Sequence, residues 1–241
     1  MTRAQSDVVG AAILIGLTVL AVGTLTASIG TVVDGGAASA DATRVANTFD
    51  SSLDPADASG VERTTVSFTG GELAVEERTL RVLTDSGVVA TVEVDALVFT
   101  AGDHRVEYVA GAIVEGSPDR ARLSSSPPIA TATEPEGVLV VGAPKLNATQ
   151  GTVGSGATDV TLRTEVSHER SELGTDTYRL AIETPTPDPW IGHFESQNAT
   201  IEEDARSFEG DEHPSVVARY PDDREGYLVV HDMRLEVLSR G

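Results

Sequence analysis

Apolar and polar positions follow three successive patterns from the N-terminus into the β region. Val8 to Val33 is a run of 26 residues without a single charge. As a helix it would be ~39 Å long, more than the ~30 Å hydrocarbon core of a bilayer and longer than the ~7–15 residues of a secretory apolar region. The pattern therefore predicts a long N-terminal hydrophobic helix over residues 5–34. Next, Ala38, Ala42, Val45, Phe49 and Leu53 recur at helical spacing, with Asp41, Arg44, Asn47 and Asp50 between them. This predicts an amphipathic stem over 35–57, hinged at Gly35-Gly36, with one face against the rest of the protein and an end at Asp54-Pro55.

From Val61 the period falls to two. Thr64 to Phe68, Gly70-Gly71 and Glu72 to Leu83 read as a β-hairpin. Further strands are predicted at Val88–Phe99, Arg105–Glu115, Gly137–Ala143, Asp159–His168, Asp176–Glu183 and Gly226–Leu238, with turns at Asp85-Ser86-Gly87 and Ala101-Gly102-Asp103. Ser124 to Glu136 reads as an exposed crossing, Asn147 to Ala157 as a glycine-rich loop, and Glu202 to His213 as surface loop or weak helix. A short helix is predicted at Pro189–Gln197, where Trp190 and Phe194 share a face and plug the sheet. The predicted fold class is α+β: a long N-terminal hydrophobic helix followed by a mainly antiparallel, sandwich-like β domain over 58–241.

Composition narrows the function classes. The chain has 38 acidic and 17 basic side chains, a formal net charge of −21, and a single lysine, Lys145. That balance repels nucleic acid, which needs basic patches. There is no cysteine, so disulfides and thiolate chemistry are excluded. Dense acid with almost no lysine resembles the proteins of extreme halophiles.

The first residues carry a resemblance. Arg3-Ala4-Gln5-Ser6-Asp7 leads directly into the apolar run. This resembles the class III signal peptide of archaeal type IV pilins, in which a membrane peptidase cuts after a small residue preceded by a basic one. The resemblance implies a leader over 1–4, a cut between Ala4 and Gln5, and a prepilin-peptidase-like enzyme as a partner. Bacterial pilins carry a glutamate five residues after the cut; Val9 stands there, as archaeal relatives also allow. A competing reading takes Ala38-Ser39-Ala40 as an A-x-A cleavage site that would release the domain; the length of the apolar run argues against it. Ala12, Gly16, Gly23, Ala27 and Gly30 fall within about 60° on a helical wheel, a small-residue stripe suited to close packing with other pilin-like subunits or to lying among lipid. Tyr108 to Val114, Pro127-Pro128 and Trp190 with His193-Phe194 are similar to a family of uncharacterised haloarchaeal pilin-like membrane proteins. The location this implies is the cell membrane, single-pass, with the C-terminal domain outside, or a surface filament.

Candidate chemistry is sparse. No two of the five histidines stand at H-x-x-x-H spacing, there is no G-x-S-x-G elbow, and Gly151 to Gly154 lacks a phosphate-loop lysine. Asp103-His104, Asp211-Glu212-His213 and His231-Asp232 set carboxylates beside histidines, but neighbours on a strand face opposite ways. The sequence therefore offers no catalytic, cofactor or metal set. Asn147-Ala148-Thr149 and Asn198-Ala199-Thr200 are candidate N-glycosylation acceptors in predicted loops. The function expected is a pilin-like structural or interaction subunit, not an enzyme. The alternative is an anchored binding or sensor domain that does not assemble.

Overall fold

The computed structural model describes residues 35–54, 60–117, 120–132, 137–148, 152–154 and 158–239. Helix α1 covers 35–52. The strands that follow are β1 (Gly60–Phe68), β2 (Glu72–Glu76), β3 (Thr79–Thr84), β4 (Gly87–Glu93), β5 (Ala96–Ala101), β6 (His104–Val109), β7 (Ala112–Gly116), β8 (Arg122–Ser125), β9 (Ile129–Ala132) and β10 (Val138–Lys145). Next come β11 (Thr152–Val153), β12 (Thr158–Asp176) and β13 (Arg179–Glu183), then helix α2 (Pro187–Ser196). β14 (Thr200–Arg206), β15 (Ser215–Arg219), β16 (Arg224–Asp232) and β17 (Glu236–Ser239) complete the order.

The strands form three sheets. The first runs β1-β12-β16-β10-β9 with β17 beside β12, the second β11-β2-β5-β6-β7-β8, and the third β14-β15-β13-β3-β4. The described pairings are antiparallel except that of β10 with β16. β12 is 19 residues long and serves two partners in turn: its first half pairs β1, its second half β16. Its side chains explain the change. Val160, Leu162, Thr164 and Val166 alternate inward, whereas Ser167 to Glu172 is exposed and polar.

Two large cores result. One lies under α2, where Trp190 and Phe194 are fully buried against Leu180, Ile182, Val216 and Ala218. The other lies under α1. Tight turns set the hairpins. Ala110 and Gly111 both have positive φ, the geometry of a two-residue turn that matches strand twist, and they join β6 to β7. A Cβ on Gly111 would stand 2.6 Å from Pro128, so the turn packs directly on the proline pair.

Several expectations are corrected. Among the described residues the fold is mostly β, with 59% strand and 16% helix, and neither helix is long and apolar. Residues 5–34, where the hydrophobic helix was expected, lie outside the described residues. Among those described, no helix is long and apolar enough to cross a membrane, so the expected single-pass membrane placement is corrected as well. The sandwich becomes three sheets, because β2 and β5 join the second sheet while β3 and β4, between them in sequence, join the third. Gly70-Gly71 does not close a hairpin: β1 pairs β12, and β2 pairs β5. Gly71 is instead a point of close approach, where a Cβ would lie 2.6 Å from the Thr100 carbonyl. The acidic stretch after Asn198 opens as strand β14, held on β15 with two register shifts, and Arg179 and Arg219 pair its Glu202.

Candidate functional site

The most elaborately built feature next to the N-terminal segment is the seat of α1 on the sheets. Ala42, Val45, Ala46 and Phe49 make a stripe at helical spacing, continued by Leu53 just beyond the helix, and all are buried. The stripe meets Val66 and Phe68 of β1, Leu73 of β2, Leu97 and Phe99 of β5, and Leu162 of β12. Phe68 and Phe99 pack with ring centroids 5.0 Å apart. Each large side chain buried here contributes roughly 1.5–3 kcal/mol. Helix α1 is thus part of the domain's own core.

Polar groups hold this helix in its first half and just past its C-terminal end. Asp41 is 1% exposed, although it is an acid on the apolar side. Its Oδ2 accepts hydrogen bonds from the Thr69 amide (2.8 Å), the Thr69 hydroxyl (2.6 Å) and the Gly70 amide (3.2 Å), and its Oδ1 accepts one from Arg44. Burial alone would raise its pKa, but the bonds from Thr69, Arg44 and Gly70 outweigh burial and hold the carboxyl below its ordinary value. At the other end, the Tyr108 hydroxyl donates to the Leu53 carbonyl at 2.8 Å, satisfying an acceptor that the helix end leaves open. Burial pushes the Tyr108 phenol well above its usual range, so it stays a donor. Ser52 adds a bond to Thr64 of β1 at 3.1 Å.

A buried ion network stiffens the wall beside this seat. Arg78 and Glu107 are almost fully buried, and Glu76 and Arg105 complete a balanced group of two cations and two anions. The Arg78 carbonyl also accepts the amides of Val94 and Asp95, at 2.9 and 3.2 Å. One residue thereby ties together the two places where the chain passes between the second and third sheets. Burial raises the Glu107 pKa against the pull of Arg105 and Arg78.

The residues singled out from sequence fare differently. Ala4, Gln5, Ala12, Gly16, Gly23, Ala27 and Gly30 lie outside the described residues. Asn147 and Asn198 are both exposed, with φ of 47° and 63°. Asn198 ends α2: its amide bonds the Glu195 carbonyl and the next amide, of Ala199, bonds the Phe194 carbonyl, the two bonds of a left-handed helix cap. The Asn147 amide group donates to both oxygens of Asp232, at 3.1 and 3.2 Å. Asp211 does not serve His213; it holds Arg81 in a two-bond fork, and Arg81 in turn stacks on Phe208. Among the described residues, no group of three or more histidines and acids is placed to hold a metal ion.

Sequence reasoning passes over Arg78 and Glu107 and places Asp41 among the polar positions of the stem, whereas it is buried. For Asp41 a signal exists: it stands three residues after Ala38 and four before Val45, so an acid sits within an apolar stripe. A model of a family of unknown function, DUF7289, matches residues 3–236. The chain belongs to that family. No curated protein and no solved structure matches it.

Proposed function

We propose that this DUF7289 member is a type IV pilin-like structural or interaction subunit, processed between Ala4 and Gln5 and assembled through the segment ahead of α1, with the acidic β domain as the part it presents. One observation carries the reading. The helix that follows the N-terminal segment is seated in the domain core, held in its first half by Asp41 and just past its end by Tyr108, so the chain leaves the β sheets toward that segment through a packed helix. A domain tethered for independent motion would use a flexible glycine- or serine-rich linker instead. The competing cut after Ala40 falls inside α1 and would leave Asp41 as the chain's first residue.

The test is the mature N-terminus, read by mass spectrometry on the chain purified from the cells that make it. Processing predicts a protein beginning at Gln5. An intact Met1, or a start at Asp41, would overturn the proposal. Leucine at Gly16 and Gly23 should in addition abolish assembly, measured by sedimentation, while the thermal melt of the β domain stays unchanged; normal assembly of that variant speaks for the unassembled binding domain.

A further inference from the structure

Two histidines 63 residues apart in sequence meet on the first sheet. His168 on β12 and His231 on β16 are directly opposite in the antiparallel register. Their Nδ1 atoms are 2.8 Å apart, and the rings meet edge-on with centroids separated by 4.9 Å. His168 is exposed and His231 half-buried, so the pair is open to solvent. From these observations we propose that His168 and His231 form a two-nitrogen binding site for a borderline divalent transition metal such as Zn2+, Ni2+ or Cu2+.

The geometry suits chelation. In the metal-free pair, one Nδ1 carries the proton and donates while the other accepts. Moving that proton to Nε2 leaves both Nδ1 lone pairs free for one ion. Metal–nitrogen bonds of ~2.0–2.1 Å at angles between about 90° and tetrahedral require the two nitrogens to stand ~2.9–3.4 Å apart, reached from the observed pair by a small opening and a turn of each ring that aims both lone pairs at the ion. Antiparallel pairing already fixes the backbone separation of the two residues, so binding has only the two side chains to order.

The surroundings favour a cation. Burial, then the neighbouring His168, lowers the His231 pKa against the opposing pull of Asp54, which keeps its imidazole in the neutral, ligating form. Arg170, two residues along β12, stacks its guanidinium on Tyr227, 4.3 Å from the ring centroid, and Tyr227 lies opposite Glu172, further along the strand from the histidines. The neighbour of His231 on β10 is Pro144, whose side chain offers no donor. The net charge of −21 concentrates divalent cations near the surface. Imidazole selects zinc, nickel or copper over calcium or magnesium. The described residues supply no third protein ligand, so water or a donor from another molecule completes the coordination.

Calorimetric titration of the full chain with Zn2+ alone, above about pH 7, where imidazole is largely neutral, and without chelator, tests this. The unmodified chain should bind one equivalent. His168→Ala and His231→Ala should each weaken binding at least about tenfold, and the double variant should abolish it. A His104→Ala/His213→Ala control should bind as the unmodified chain does. Absence of saturable binding, or binding retained by the His168→Ala/His231→Ala double variant, overturns the proposal. A readout independent of any variant is the electron paramagnetic resonance spectrum of the Cu2+-loaded chain: coupling to two nitrogens supports the site, and an oxygen-only signal overturns it.

Discussion

Asp41 illustrates how much one side chain can decide. Its carboxylate is buried and takes hydrogen bonds from Thr69, Gly70 and Arg44, so its folded pKa lies below the unfolded one. The stability it adds is fully present above its unfolded value of about 3.9 and is lost as pH falls through the lower, folded value. Asp41→Asn should therefore cost about 1.5–3 kcal/mol at neutral pH, the range for hydrogen bonds to a charged group. The gap to the unmodified chain should narrow in acid. Chemical denaturation at a series of pH values checks this, and a gap independent of pH would show that the carboxylate is not charged in the fold. Trp190 and Phe194, four apart on a predicted helix, were legible as a buried plug and are fully buried. Asn198 was legible only as a glycosylation acceptor, whereas its backbone caps α2.

Among the elements, α1 is the most informative. Its apolar stripe could be read from spacing alone because helical periodicity is local. What the stripe would cover could not be read, since Leu73, Phe99 and Leu162 come from three strands distant in sequence. Phe49→Ala should destabilise the domain by about 3–5 kcal/mol, as for a large aromatic removed from a well-packed core. A thermal melt of the purified chain measures it. A loss below about 1 kcal/mol would mean that the seat is not part of the cooperative core. β12 makes the complementary point. Its alternation announced a strand near Asp159–His168, but the strand runs on to Asp176 because β16 supplies a partner for the polar half.

At the scale of the whole molecule, charge dominates. A net −21 on 241 residues repels itself in the compact state. Arginines are engaged locally, in pairs such as Arg81 with Asp211 and Arg179 with Glu202 and Asp85, and the acids outnumber them. Raising salt to about 1 M shrinks the screening length to ~3 Å. The melting temperature should therefore rise as KCl is added, and a melt that falls or stays flat would show that repulsion is not what limits stability.

The sequence by itself determined the local features: the β character of the region from Val61 and some of its turns, the apolar faces of α1 and α2, the acidity and the absence of thiol chemistry. These depend on period, propensity and composition, which are properties of neighbouring residues. The sequence did not divide the strands, since Val88–Phe99 is β4 and β5 in two sheets, Arg105–Glu115 is the hairpin of β6 and β7, and the expected crossing Ser124–Glu136 carries β9. Only the tertiary structure decided the partners. It paired β1 with β12 where Gly70-Gly71 suggested β2, it buried Asp41 against Thr69 and Gly70, and it set His168 against His231. A strand's alternation states which side chains share a face but not which strand lies alongside, and that choice rests on long-range packing that no local window contains.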